Sequence, residues 1–401
     1  MYALKIRPPA RNHLSRRVAN LNDFEAETER FLPPALFHYV AGASEDAAVY
    51  TRNLRAFRER AFFPRVLVDV SGRSTSTTLF GVEHPHPFGI APMGFSRMIA
   101  PDGDIVLAQS AAEAGLPFIL SGASLTAMEE VAAAAPSSWF QAYLPGEESR
   151  IDGLIDRVEA AGFRTLVLTA DTAVHPLHER AARHGFVSPI RKTDLRLAWQ
   201  GISRPSWVRQ VLLRNRMAGF HFRFENMDAS AGPPVLSSTL IRDIGRRDAF
   251  SWRHVKMVRK RWKGNLVIKG VMSAQDADLA EKAGIDGIIV SNHGGRQIDC
   301  AVSALASLEQ ITAKGLSLKV MYDGGIRRGS DVLKALKVGA DFVFVGRPML
   351  FAAAMAGRDG VAHAISLLSH EIGMNMALLG ISGLEGLRDV EMVADNQEAS
   401  A

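Results

Sequence analysis

The chain predicts an α/β fold: a (β/α)8 barrel with an N-terminal helical extension and a long insertion after its fourth strand. Three observations predict it. From Pro87 onward, short apolar runs alternate with helical stretches, and eight such runs occur before the C-terminal helices. The runs are continuous rather than alternately polar, as in parallel strands buried on both faces. Nearly every run ends in polar groups or glycine, which a closed parallel barrel would gather at one rim. An open doubly wound sheet is the alternative on strand count alone.

Composition sets the outer bounds. The 401 residues are 47% hydrophobic and 22% charged, enough apolar material for one large core. A net charge of +5 favours acids, phosphates or a membrane surface, but it is too small and too dispersed for nucleic acid. The single cysteine, Cys300, excludes an internal disulfide and fits a reducing compartment. The basic N-terminus has no apolar core of a signal peptide, and no apolar run is long enough to span a bilayer. The expected location is cytoplasmic, or peripheral at the inner face of a membrane.

Taken in order, residues 1–86 form an extension of helices and a hairpin. Asn22-Asp23 caps a helix carrying Phe24, Thr28 and Phe31, and a second helix runs from Ala35 to Ala41 and ends at Gly42. Val66–Val70 and the run Thr75–Phe80 read as the two arms of the hairpin. The barrel is expected over 87–380, with strands at 87–92, 116–121, 138–143, 165–171, 266–270, 287–290, 318–325 and 341–346. Helices fall between them at 102–115, 126–135, 147–161, 252–262, 274–283, 304–313 and 331–338. Thr126 with Glu129 reads as a capping box. The final helices span 362–379, and 381–401 is a tail.

The insertion, 172–250, is too long for a plain loop. Its stretch 196–216 mixes Trp199, Trp207, Val211, Leu212 and Leu213 with arginines. That suits an interfacial helix on an anionic membrane, or a lid with solvated arginines.

The chemistry collects where the apolar runs end. In order these ends carry Pro92-Met93-Gly94, Gly122, Gln141 with Tyr143, Thr169 with Asp171, Lys269, Ser291 with His293, Asp323-Gly324-Gly325, and Gly346-Arg347. The run into Ser291-Asn292-His293-Gly294-Gly295-Arg296 sets an imidazole beside a guanidinium. A proton-transfer group next to a carboxylate-binding group is how a site for a small organic acid can be built. The last two strand ends, DGGIRRG and VGRP, supply glycine N–H groups with Arg327 and Arg347, a seat for a phosphate. His175, His178 and His184 lack the carboxylate–histidine pattern of a zinc site, so no metal is expected.

GIIVSNHGGRQID, with VIKG before it and DGGIRRGSDVLKALKVGAD and VGRP after, resembles the FMN-dependent α-hydroxy acid oxidase/dehydrogenase family. Its members include glycolate oxidase, L-lactate dehydrogenase and mandelate dehydrogenase. The resemblance runs from FHYVAGASED through IAPMG, WFQAY and LTADT, nearly the whole chain, and the SNHGGRQ element is highly specific. It implies a barrel that binds FMN and oxidises a small 2-hydroxy acid to the keto acid, in a homo-oligomer, by family habit a tetramer.

Residue by residue, the resemblance makes His293 the active-site base and Asp171 the carboxylate that stabilises its protonated form. Arg296 and Tyr39 would grip the substrate carboxylate, with Tyr143 near the hydroxyl. Lys269 would face the pyrimidine edge of the flavin. Pro92, Met93, Gly94, Gln141, Thr169 and Ser291 would contact the isoalloxazine. Asp323, Gly324, Gly325, Arg327, Gly346 and Arg347 would hold the ribityl phosphate.

Two departures stand out. His178, at the substrate site, occupies a position where many members carry Arg, and Gly122 replaces a hydroxyl residue that often contacts the flavin. Gly94 accompanies dehydrogenases more than oxidases in the family. It tilts the expected electron acceptor toward a quinone or carrier protein, with O2 as the alternative and an FMN-dependent isomerase as a more distant one.

Overall fold

The computed structural model describes residues 14–186, 195–235 and 246–395. Eight strands, each a short run of Val, Ile, Leu and Phe, pair in parallel. They are β1 (Phe88–Ile90), β2 (Ile119–Ser121), β3 (Trp139–Ala142), β4 (Thr165–Thr169), β5 (Asn265–Val271), β6 (Gly287–Val290), β7 (Lys319–Asp323) and β8 (Phe342–Val345). Each pairs with its sequence neighbour, and β8 pairs with β1. A parallel bridge from Ile90 to Phe118 joins β1 to the start of β2, so the sheet closes on itself. Closure excludes the open doubly wound alternative.

Alternation along the strands divides the core. Ile289, Val167, Val267 and Met321 point inward with Trp139, Phe342 and Phe344, and all are buried. Their neighbours Ile288, Val290, Leu166, Leu168, Val320 and Tyr322 point outward against the helices. This two-sided burial is why the strands read as unbroken apolar runs.

The hairpin differs from expectation. Thr77–Leu79 pairs with Val82–His84 through a turn at Phe80 (φ 49°) and Gly81 (φ 78°), while 66–70 has no strand structure. Two consecutive left-handed residues make the tight turn that matches strand twist, so the partner lies a few residues ahead rather than behind. Phe80 packs against Trp139 at the start of β3 and so plugs the N-terminal end of the barrel.

The capping box at Thr126 does not form. Its hydroxyl donates to buried Asp104 (3.0 Å), Glu129 pairs with Arg157, and the helix starts at Met128. Asn22 likewise makes no side-chain cap; instead the Asp23 carboxylate accepts from the N–H groups of Ala19 and Asn20. The last helical segment begins at Arg347, far earlier than 362, and runs to Leu379 with a break at Ala356 and Gly357. Beyond it, Met392–Ala394 pairs antiparallel with Arg60–Phe62, tying the C-terminal region to the N-terminal extension.

Three N-terminal helices, α1 (Asp23–Phe31), α2 (Pro34–Ala41) and α3 (Ala48–Arg58), lead to the rim where the strands end. The N-terminus of α3 is held by Asp299, which accepts from the N–H groups of Ala48 (3.0 Å) and Val49 (2.9 Å). Asn53 of α3 and Asn292 exchange two amide hydrogen bonds of 2.8 Å. These contacts fix the loop after β6. The insertion contains the helices Leu195–Ile202 and Pro205–Trp207, a π-helical turn Val208–Leu213 and the helix Arg214–Met217. Residues 1–13 and 396–401 of the predicted extension and tail lie outside the described residues, as do 187–194 and 236–245 of the insertion.

Candidate active site

A cleft of about 910 Å³, a volume that includes space open to solvent, lies over the C-terminal ends of the strands. Its wall includes Tyr39, Pro92, Met93, Gly94, Tyr143, Lys269, His293 and Arg296 on one side. Asp323, Gly324, Gly325, Arg327, Gly346 and Arg347 form another part. The sequence had also singled out Gly122, Gln141, Thr169, Asp171, His178 and Ser291; these stand behind or beside that wall rather than on it. Residues that the sequence did not announce complete it, among them Val40, Ala123, Ile326 and Leu350. They are ordinary apolar side chains, with no chemical signature to find them by.

His293 sits at the turn after β6 with a left-handed backbone (φ 57°). Its Nδ1 lies 3.0 Å and 3.2 Å from the two carboxylate oxygens of Asp171, which follows β4. Burial pushes the Asp171 carboxyl up, but His293 and Lys269 outweigh it and hold the group below its ordinary value. An ionised carboxylate on Nδ1 fixes the tautomer of a neutral imidazole and stabilises the imidazolium. Nε2 is left for the substrate side.

Behind this pair, the Ser291 hydroxyl accepts from Lys269 Nζ (2.9 Å) and from the His293 N–H (3.0 Å), and donates to Asp323. Lys269 Nζ is also 3.1 Å from Asp323 Oδ2. Burial opposes the charge on Lys269, yet Asp323 and Asp171 raise its pKa above the usual lysine value. A permanently charged ammonium therefore lines the cavity.

Arg296, Arg327 and Arg347 form a second cluster. Among the described residues their guanidinium groups bond to backbone carbonyls and to the Tyr50 hydroxyl, not to carboxylates. Burial, with Arg296 and Arg327 close by, lowers Arg347 to about 9. Three guanidinium groups gathered with no carboxylate bonded to them among the described residues, beside glycine N–H groups, suit a phosphate. Gln141 Nε2 and Thr169 Oγ1 are buried with no hydrogen-bond partner among the described residues. Such groups are rare unless something completes them. A polar ring edge at one end and a phosphate at the other is the donor set that FMN requires, and these residues fit it.

At the Tyr39 side of the cavity, Arg296 lies with its Cζ 4.9 Å from the Tyr39 ring centre. His178 Nε2 is 2.9 Å from the Arg296 carbonyl oxygen, and burial together with Arg296 depresses its pKa to about 4, so it is neutral. The His184 ring lies tilted against His38 at 3.7 Å, and Phe186 stacks on Tyr39 at 4.2 Å. Arg247, from the end of the insertion, covers the Tyr143 ring at 4.6 Å. Nothing local in the sequence marks these partners of Tyr39 and Tyr143. Gly122 lies against the Gln141 backbone, 2.8 Å from where its Cβ would be. A Cβ at Gly94 would stand 2.9 Å from the Ala123 Cβ, so packing alone accounts for glycine there.

A closed parallel barrel with a His–Asp pair, a buried charged lysine and an arginine-rich phosphate seat at its C-terminal rim defines a flavin-dependent oxidoreductase of hydroxy acids. Comparison with known proteins gives the same class. The sequence profile for FMN-dependent dehydrogenases matches residues 28–394. The L-lactate dehydrogenase of Ectopseudomonas mendocina (strain ymp) is 36% identical over 367 residues, covering 90% of this chain and 95% of that protein. Among solved structures, mandelate oxidase with benzoyl-formic acid superposes with a TM-score of 0.77 at 31% identity, covering 94% of this chain and 99% of that one. The monotopic membrane protein (S)-mandelate dehydrogenase gives a TM-score of 0.81 at 31% identity, covering 93% and 99%. The chain belongs to the FMN-dependent dehydrogenase family. It is an FMN-dependent oxidoreductase acting on a hydroxy acid.

Proposed function

We propose that the protein oxidises an L-2-hydroxy acid, lactate- or mandelate-like, to the 2-keto acid and passes the electrons to a quinone or another carrier. The observation that carries this reading is the contact of His293 with ionised Asp171 beside Arg296. Bound FMN supplies the two-electron acceptor. His293 takes the substrate proton, from the α-carbon or the hydroxyl, and Asp171 offsets the charge it gains. Arg296 and Tyr39 hold the substrate carboxylate, His178 borders that corner, and Tyr143 bonds near the hydroxyl. Lys269 faces the pyrimidine edge of FMN, with Pro92, Met93, Gly94, Gly122, Gln141, Thr169 and Ser291 around the ring system. Arg327, Arg347, Asp323, Gly324, Gly325 and Gly346 form the phosphate end.

Anaerobic bleaching of the flavin by a panel of L- and D-2-hydroxy acids tests the reading. Reduction by L-acids of one size class is expected; no reduction by any of them would refute it. The similarity to mandelate oxidase favours a second reading, in which O2 is the acceptor, and the packing of Gly94 on Ala123 removes that glycine as an argument against it. Peroxide formed in step with keto acid distinguishes the two.

We also place the protein at the inner face of a membrane, held by residues 196–216. Leu195, Trp199 and Ile202 are 85%, 69% and 67% exposed and share one helix face; Arg196 on the same helix and Arg209 and Arg216 on the turns that follow are also exposed, while Arg214 pairs with Asp102. No helix among the described residues is long and apolar enough to cross a bilayer. A homo-oligomer is the proposed assembly. Its support is a separate exposed group, Phe63, Val66 and Leu67 with Met374 and Leu378, at the C-terminal end of the last helix. Sedimentation of the purified protein tests it.

A further inference from the structure

The helix Leu195–Ile202 has two faces with different fates. Outward, it exposes Leu195, Trp199 and Ile202. Inward, it buries one polar residue, Gln200, and that side chain makes two hydrogen bonds. Gln200 Nε2 donates to the His184 carbonyl (2.9 Å), and Gln200 Oε1 accepts from the Ala35 N–H (2.8 Å). Both partners belong to segments that carry Tyr39 or pack against it. Ala35 lies in the first turn of α2, the helix that carries Tyr39. The His184 ring packs tilted against His38, and Phe186, two residues on, stacks on Tyr39. Nearby, Arg204 Nε donates to the Leu32 carbonyl (3.1 Å), just ahead of α2.

We propose that Gln200 couples the docking of this helix on an anionic lipid surface to the ordering of the corner that binds the substrate carboxylate. The inference rests on the membrane and hydroxy-acid readings given above. The occupant of the outer face is an anionic lipid surface, because the apolar row is accompanied by exposed arginines on the same helix (Arg196) and on the turns that follow it (Arg209 and Arg216). A helix held flat on that surface is ordered before substrate arrives, and Gln200 transmits the order to both segments at once. Gln200 is thus a positioning residue, acting through Tyr39 rather than on the substrate. Coupling of this kind is reciprocal: whatever factor the surface adds to substrate affinity, the substrate adds to surface affinity.

The test uses the full-length holoenzyme with vesicles of phosphatidylglycerol and phosphatidylcholine, and pure phosphatidylcholine as control. Anionic vesicles are expected to lower KM for the hydroxy acid about fivefold or more, within the usual range of coupling, with kcat little changed. The keto acid product should tighten vesicle binding by the factor by which anionic vesicles tighten binding of that product, a readout independent of turnover. Trp199→Asp should abolish vesicle binding and with it the KM shift. Gln200→Leu should still bind vesicles but lose the shift, and Gln200→Glu, which keeps the acceptor for Ala35 and drops the donor to His184, should retain part of it. Vesicle binding without any change in KM or in product-linked affinity overturns the coupling while leaving the membrane reading intact. An equal shift in the parent and in Gln200→Leu removes Gln200 from it. Absence of flavin reduction by every hydroxy acid would instead refute the underlying activity.

Discussion

A Cβ atom placed on Gly270 would stand 2.6 Å from Cγ of Asp171. Gly270 is the irregular residue of β5, where the pairing with β6 shifts register between Lys269 and Val271, and its φ is +98°. The missing side chain is therefore the space in which the Asp171 carboxylate reaches His293. Gly270→Ala should displace that carboxylate and strain the backbone, at a cost of about 1–2 kcal/mol in stability. The expected signature is a slower flavin reduction that resembles Asp171→Asn, with FMN still bound. Anaerobic stopped-flow on both variants checks it; an alanine variant reducing at the parental rate would separate Gly270 from the Asp171 position.

His293→Gln removes the imidazole but keeps a polar side chain of similar reach. Flavin reduction should fall by about 10²–10⁴, the usual contribution of a general base, while the bound cofactor keeps its yellow colour. The left-handed backbone at His293 tolerates Asn better than Gln. His293→Asn should therefore melt higher than His293→Gln while being equally slow. Parental reduction rates in either variant would remove the assigned base.

Much of this was legible in the sequence because barrel strands and site residues are local signals. An apolar run followed by Ser291-Asn292-His293 or Asp323-Gly324-Gly325 states both the strand and what its end presents. What was illegible depends on distant partners. Thr126 looked like a cap by spacing, but buried Asp104 competes for its hydroxyl. Val66–Val70 has strand composition and finds no partner strand. Asn53, which pairs with Asn292, and Gln200, which bridges His184 and Ala35, are unremarkable in their own segments. Their roles exist only once the chain has folded.

Histidine burial sets a pH limit on stability. Burial is the leading cause at His38, His86 and His178, and it depresses each to about 4 from the ordinary 6.5. The folded protein holds these rings neutral, while the unfolded chain protonates them below about 6.5. Between pH 6.5 and 4 the unfolded state therefore binds more protons, and stability falls as pH falls. The melting temperature should drop across that window, and His86→Phe, which keeps a ring beside Phe88, should flatten part of the slope. Buried Asp104, raised to about 6 by desolvation, contributes with the opposite sign, so the decisive outcome is the difference between variants: a pH slope unchanged in His86→Phe would contradict the assignment.

Arg327 separates the cofactor's contribution from that of the protein alone. Its side chain bonds to its own neighbour's carbonyl, Ile326, and to the Tyr50 hydroxyl, so removing it abandons few internal contacts. It also stands among the charges that depress Arg347. Without a phosphate, Arg327 is a repulsive neighbour; with one, it is a charge-assisted donor. Arg327→Met should weaken FMN binding about 10–100-fold, the loss of one hydrogen bond between charged groups. The apoprotein should melt at the parental temperature or above, since a like-charge contact is gone. Titration of apoprotein with FMN, paired with melting curves in both states, reads the two signs separately. A variant that loses stability equally with and without FMN would mean that Arg327 serves the fold and not the phosphate.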